Sequence, residues 1–410
     1  MSPRPRVVFF DILRGVAVVL VLGRHMAAPT ADVSGVFKRA ADLWIQIGWT
    51  GVDLFFVLSG FLVSGLLFSE YQRHGSVDVV RFLVRRGFKI YPGFYFMIVV
   101  TVSILVMGRA FDTATAAKLI AEVFYLQSYI PGLWNHTWSL AVEEHFYVLL
   151  AAAVYVAVAR RTSDDERDPF GRFFRVSSFI VLAITAARTL TPYVSLYVSG
   201  GPMDPTHLRL ETHARVDTLL VGVILSYLYH FQRTALIAIA RRHRIVLTVV
   251  SVVLLIPPFL WPLDRSAVNP GIGLLSIALG FAGILLLGLA ASPRAQSPPA
   301  IIRGLNASLA AIGFHSYSIY LWHMPIQVST PMLVATFLPA TAMPDVTFAV
   351  TTGVYLATAV LVGMWIGRLI EQPSLSVRDR FFPTRAGGLV DRSQPAHAAE
   401  EWTPVVSASR

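Results

Sequence analysis

The chain contains no cysteine, which removes disulfides and thiolate metal sites from consideration. Lysine is scarce, present only at Lys38, Lys89 and Lys118, so the basic character rests on arginine, as genomic base composition would give. Charged residues of both signs make up 14% of the sequence, well below the roughly 25% of a soluble domain. The sequence also lacks internal repeats and glycine-rich phosphate loops. No Gly-x-Ser-x-Gly elbow lies near the polar spans, and no helix carries His-Glu-x-x-His. A soluble-type serine hydrolase, a zinc peptidase and an ATP-driven enzyme are thereby disfavoured.

What is present is apolar: 55% of the residues are hydrophobic. Ten runs approach the ~20 residues that a membrane crossing needs: 7–26, 43–69, 88–108, 139–159, 176–198, 212–231, 245–261, 271–291, 306–329 and 346–370. The expected fold is therefore all-α, a polytopic transmembrane bundle of about ten helices in a lipid bilayer. The stretch 114–130 is shorter and more polar and suits an interfacial or re-entrant helix. The first run follows only "MSPRPR" without a small-residue cleavage site, so it reads as a retained first helix. With the N-terminus inside, all but six of the loop lysines and arginines fall on the inner side. That asymmetry is the positive-inside pattern, with both termini cytoplasmic in a multi-pass protein of the cell membrane. The net charge of +10 is thus a topology signal. No face gathers arginines with interleaved aromatics, so nucleic-acid binding is not expected. Residues 1–375 are expected to form one transmembrane domain. Residues 376–410, largely "PTRAGGLVDRSQPAHAAEEWTPVVSASR", are expected to be a disordered cytoplasmic tail. The sequence sets no oligomeric state.

Charges inside the spans are the informative exceptions, because each costs about 2.5–3.5 kcal/mol near the bilayer centre. The first span, "FFDILRGVAVVLVLGRHM", carries Asp11, Arg14, Arg24 and His25. Arg14 and His25 are eleven residues apart, about three helical turns and about 16 Å. Asp11 sits one turn before Arg14, so one face presents an ion pair near the inner end and an imidazole towards the outer end. Arg24 lies on a neighbouring face and reads as an interfacial anchor. Other spans repeat the pattern: Asp53 in the second; His136, Trp138, Ser139, Glu143, Glu144 and His145 at the start of the fourth; Arg215 and Asp217 in the sixth; Tyr320 and His323 in the ninth; Glu371 at the inner end of the tenth. Polar groups along a route through the membrane fit either a group-transfer enzyme or a secondary transporter. Inverted repeats and correspondingly broken helices, which would favour the transporter, are not found.

The ordered set "FDILRGVAVVLVLGRH", "GVDLFFVLSGFL", "RRGFKIYP", "HTWSLAVEEHFY", "ARVDTLLVG", "SYSIYLWHMPI" and "IEQP" resembles the integral membrane acyltransferase-3 family. The resemblance runs from residue 9 to about 373, with His145 where glutamine is common and Lys89 where arginine is common. It implies transfer of an acyl group, acetyl being the expected one, from cytoplasmic acyl-CoA to a hydroxyl of a carbohydrate or glycoside at the outer face. It also suggests the stand-alone form, without the C-terminal hydrolase-like domain of longer members. On that resemblance His25 is the expected base or acyl carrier. Glu143 would orient the imidazole or hold the acceptor hydroxyl, and Glu144 is the second choice. His323 would serve the acceptor or the oxyanion. Arg85, Arg86 and Lys89 would bind the coenzyme phosphates, and Arg14 would line the route of the pantetheine arm. Asp11, Asp53, His136, Trp138, Ser139, Glu144, Arg215, Asp217, Tyr320 and Glu371 complete the expected polar site. No metal is expected.

Overall fold

A computed structural model describes residues 5–161, 168–199, 206–260, 269–291, 299–339 and 341–386. The described residues are helical, with no strand among them. From the N-terminus the helices are α1 (Pro5–His25), α2 (Gly35–Ile47), α3 (Thr50–His74), α4 (Val79–Met107), α5 (Thr113–Val123) and α6 (Trp138–Ala159). They continue as α7 (Gly171–Ser199), α8 (Thr206–Leu210), α9 (Thr212–Phe231), α10 (Arg233–Arg242), α11 (Arg244–Leu254) and α12 (Pro257–Leu260). The last five are α13 (Leu274–Ala290), α14 (Ala300–Phe314), α15 (Ser316–Ala335), α16 (Pro344–Ile366) and α17 (Gln372–Phe381).

Local chemistry sets several of the boundaries. Gly75, at φ 64°, ends α3 in the left-handed conformation that costs glycine nothing. Asp78 caps α4 by accepting from Arg81 N at 2.9 Å, and Asp112 caps α5 by accepting from Thr115 N at 2.7 Å. Pro344 opens α16, where its missing N–H is not needed.

By length and composition six of the described helical segments can cross a membrane: Gly35–His74, Val79–Met107, Asn135–Ala159, Gly171–Ser195, Gly271–Ala290 and Pro344–Phe381. The bent pair Leu208–Phe231 and Arg233–Arg242, which turns by 107°, makes a seventh. The ten expected spans are not matched one for one, for three physical reasons. The first carries Asp11, Arg14 and Arg24 within its apolar run. The run 245–261 is an 11-residue helix followed by a single turn. The run 306–329 is divided at His315 into α14 and α15, and Pro325 removes a backbone donor inside the second of these. Large apolar side chains left facing outward, among them Val99, Ile104, Phe179, Leu182 and Trp365, suit a lipid surroundings.

At the centre stands α3, with Phe56, Phe61 and Phe68 each 0–1% exposed. It packs against α1, α6, α9 and α13. Small residues allow the closest approaches. A Cβ on Gly222 would lie 2.2 Å from Val57 O of α3, and one on Gly313 would lie 1.7 Å from Asp11 O of α1. Gly222→Ala and Gly313→Ala are therefore expected to cost about 1–3 kcal/mol each through overpacking. The readout is the thermal unfolding temperature in detergent. Gly304 and Gly353 have nothing within 4 Å of the same position, so alanine there leaves that temperature unchanged or raises it.

Beyond α16 the chain turns through a π-helical segment, Gly367–Glu371, into α17. Residues 382–386 then fold back as a strap over the α3 and α4 ends. Arg81 donates to Pro383 O at 3.2 Å, His74 Nε2 bonds Arg385 O at 3.2 Å, and Arg385 pairs with Glu70 at 3.4 Å. The tail expected to start at 376 thus begins inside a helix and continues into an ordered strap. Its remainder, from 387, lies outside the described residues.

Candidate active site

Two polar groupings occupy the bundle. The first is built on imidazoles brought together from α1, the 3-10 turn Asn135–Thr137 and α15. His323 is fully buried, and its Nδ1 hydrogen-bonds the Tyr320 carbonyl. A carbonyl only accepts, so that nitrogen carries the proton and Nε2 is left with a lone pair. His25 Nδ1 lies 3.2 Å from His323 Nε2 and 3.0 Å from Val21 O. Both neighbours are acceptors, so Nδ1 of His25 is the protonated nitrogen. Its Nε2 is the basic one, and His25 is only half-buried. The hydrogen bonds have selected the tautomer in which a free imidazole nitrogen is available.

His136 completes the group, its ring centroid 4.8 Å from that of His323. Its Nε2 donates to Leu321 O at 3.1 Å. The Tyr320 hydroxyl in turn donates to His136 O at 2.7 Å and meets Ser139 Oγ at 2.5 Å. The 136–139 turn is thus bonded to α15 at Tyr320 and Leu321, the turn just before His323. His136, Ser139, Glu143 and Tyr147 follow one another at spacings of three, four and four, so they share one face of the helix.

Further along that face the second grouping begins. Glu143 accepts from Tyr147 OH at 2.6 Å, and that hydroxyl also meets Ser59 Oγ at 2.7 Å. Of the two places expected for Glu143, beside the His25 imidazole or at the acceptor hydroxyl, the structure has His323 beside His25 Nδ1 and Glu143 against Tyr147. Glu144 accepts instead from Tyr91 OH at 3.0 Å. Arg14 pairs with Asp11 at 3.2 Å, as its one-turn spacing requires. Arg24 donates to Ile45 O at 3.3 Å and ties α1 to α2.

Arg85 pairs with Asp379 at 3.1 Å and also donates to Phe382 O of the strap. Lys89, expected with Arg85 and Arg86 to bind the coenzyme phosphates, is paired with the buried Glu371 and lies over the Tyr317 ring. Glu371 also accepts from Ser318 Oγ at 2.7 Å. Arg14 and Arg378 lie within electrostatic reach of both Arg86 and Lys89. Arg86 differs from its neighbours. Its guanidinium rests over the Phe82 and Tyr147 rings, 5.9 and 5.4 Å from their centres. No hydrogen bond or ion pair to a described residue holds it. The Glu143 carboxylate lies within electrostatic reach, but with no direct ion pair the guanidinium keeps donors that can be offered to an anion.

Asp53 and Arg215 pair at 2.6 Å, and Asp217 pairs with Arg188, all four being 0–2% exposed. Sequence reasoning missed Arg188. The available signal was an arginine alone in the middle of the 176–198 run, which lipid does not tolerate without a partner. No group of three or more side chains among the described residues is arranged to hold a metal ion.

Helices of membrane-crossing length, an oriented imidazole pair and a separate unpaired guanidinium define an integral membrane protein with a buried polar site. The chain belongs to the acyltransferase-3 family, whose model, described as "Acyltransferase domain", matches residues 7–387. Curated relatives include a peptidoglycan O-acetyltransferase, OatA, from Listeria monocytogenes, 27% identical over 345 residues that cover 79% of this chain and 50% of the relative. The O-acetyltransferase OatA of Staphylococcus aureus is 27% identical over 342 residues, 78% of this chain and 50% of the relative. A putative peptidoglycan O-acetyltransferase, YrhL, of Bacillus subtilis is 26% identical over 316 residues, 70% of this chain and 46% of the relative. The chain therefore spans about half the length of the curated relatives it matches. No solved structure matches it. Membership of an acyltransferase family turns the choice that the sequence left open towards group transfer and away from carriage.

Proposed function

We propose that the protein moves an acetyl group from cytoplasmic acetyl-CoA to a hydroxyl of a carbohydrate or glycoside at the outer face of the cell membrane. Peptidoglycan, named in the relatives, is the first acceptor to test. The observation that carries this reading is the His25–His323 pair, whose hydrogen bonds leave the half-buried His25 with a lone pair on Nε2. Nε2 takes the proton from the acceptor hydroxyl as that oxygen attacks the thioester carbonyl, then gives it to the sulfur as the carbon–sulfur bond breaks and the thiol leaves. The imidazolium formed on His25 is supported by the lone pair of His323 Nε2 at its Nδ1–H.

The donor enters from the other end on this reading. Arg86, with Arg85 and Arg14 beside it, receives the coenzyme phosphates, and the arm runs along α1 from Arg14 to His25, about 16 Å. Lys89 contributes positive potential but is committed to Glu371. The topology that fits has ten passes with both ends cytoplasmic, the membrane unit running from the N-terminus into α17.

The test uses the purified full chain in detergent with labelled acetyl-CoA and peptidoglycan fragments or simple glycosides. Label appearing on a sugar hydroxyl supports the function, and no turnover of acetyl-CoA with any acceptor overturns it. Arg86→Ala is expected to raise the donor KM about 10- to 100-fold with little change in kcat. The loss is that of a charge-assisted hydrogen bond, about 1.5–3 kcal/mol.

A further inference from the structure

Among the buried charges that have no role in the reaction as written, four stand together as two ion pairs, Asp53–Arg215 and Arg188–Asp217. Arg215 Nη2 donates to Asp53 Oδ1 at 2.6 Å, and Arg188 pairs with Asp217 while donating to Ala214 O at 2.7 Å. Two guanidinium groups against two carboxylates are electrically neutral, the condition under which such charges are tolerated inside a protein. Neutrality requires no aromatic partner. Yet the Arg215 guanidinium carbon lies 5.5 Å from the centre of the Phe56 ring and 5.8 Å from that of Trp138. Trp138 is the first residue of α6, and the turn immediately before it carries His136.

We infer that Arg215 and Trp138 are positioning residues for acyl transfer, the guanidinium fixing the indole and with it the 136–139 turn that holds His323 against His25. This rests on the acyl-transfer reading above. Every link is a contact already described. Asp53 holds Arg215, Arg215 lies over Trp138, and the His136 carbonyl and imidazole bond Tyr320 and Leu321. Those two residues lie in the turn of α15 immediately before His323, whose Nδ1 itself bonds the Tyr320 carbonyl. Neither Arg215 nor Trp138 touches His25, so their effect is on geometry. Displacing a reacting group by about 1 Å can cost about 10²-fold in rate.

The test compares Arg215→Lys, Trp138→Leu, Trp138→Phe and the double variant Arg215→Lys/Trp138→Leu in the purified full chain. Lysine keeps the charge opposite Asp53 but lacks the planar face that stacks on a ring. Active molecules are counted by titration with acetyl-CoA, so kcat is expressed per donor-binding site. Arg215→Lys and Trp138→Leu are each expected to lower kcat about 10- to 100-fold, with donor KM within twofold of the parent. Trp138→Phe restores most of the loss, and the double variant is no slower than the worse single one. Unchanged kcat per binding site in Arg215→Lys, or losses that multiply in the double variant, overturns the inference. Ring-nitrogen NMR signals of isotope-labelled histidines give a readout independent of turnover. Those of His136 and His323 move in Arg215→Lys and Trp138→Leu and stay in place in Trp138→Phe. If the parent chain transfers no acyl group, the functional reading fails, and the ring signals alone decide the positioning claim.

Discussion

Replacing His25 by alanine is expected to leave a protein that still binds acetyl-CoA but turns over about 10²- to 10⁴-fold more slowly, the usual weight of a general base. The two effects separate because the groups lie apart on α1, with Arg14 eleven residues before His25. His323→Ala is expected to fall less far. It removes one of the two acceptors at Nδ1 of His25 and withdraws support from the imidazolium, while the Val21 carbonyl still holds the tautomer and the base stays in place. His323→Gln, which can still offer an acceptor oxygen, recovers part of the loss. Turnover per donor-binding site, measured for all three variants, checks the ranking. Full activity in a well-folded His25→Ala protein would show that the reacting base is elsewhere.

The largest stability effect is expected at Arg188. Its guanidinium is 1% exposed and paired with Asp217, itself 0% exposed. Arg188→Leu leaves a carboxylate buried without its counter-charge, a loss of about 3–5 kcal/mol. Arg188→Leu/Asp217→Leu removes both charges and is expected to recover most of that stability, because the desolvation of the pair is removed as well. Thermal unfolding in detergent, followed for the parent and both variants, checks this. A double variant no better than the single one would mean that the pair contributes shape and hydrogen bonds more than charge balance. Arg188 also donates to Ala214 O, and the double variant forfeits that bond as well, so full recovery is not expected.

What the sequence disclosed and what it hid follow from the range of the interactions. Most apolar runs correspond to helices, since lipid-facing and core-facing residues are both apolar and the chain must satisfy its own backbone. A hydropathy run is blind to bends, however, so 306–329 read as one span although the helix is interrupted at His315. Asp11 and Arg14 were legible as a pair because one turn separates them. Glu143 and Tyr147 are also one turn apart, and the same rule would have paired them. The role suggested for Glu143 came from the resemblance, which says nothing about which way its helix face turns. His25 and His323 are 298 residues apart, and no local pattern announces that their rings meet. Lys89 was placed with Arg85 and Arg86 by proximity in sequence, but its position along α4 carries it to Glu371. The strap of residues 382–386 was hidden because a Pro- and Arg-containing stretch without helical period looks the same whether it is docked or free.

The separation of Arg14 from His25 along one helix has a consequence for compartment and energy supply. On the proposed reaction the acyl group crosses the barrier by changing chemical partners, while the nucleotide that carried it never leaves the cytoplasm. The spent thiol is released on the side where it can be recharged, and the thioester itself supplies the drive for outward export. Such a device needs neither an ion gradient nor a phosphate-bearing cofactor beyond the membrane. Its flux is therefore set by the ratio of loaded to free coenzyme inside the cell, so the outer surface would register the metabolic state of the interior.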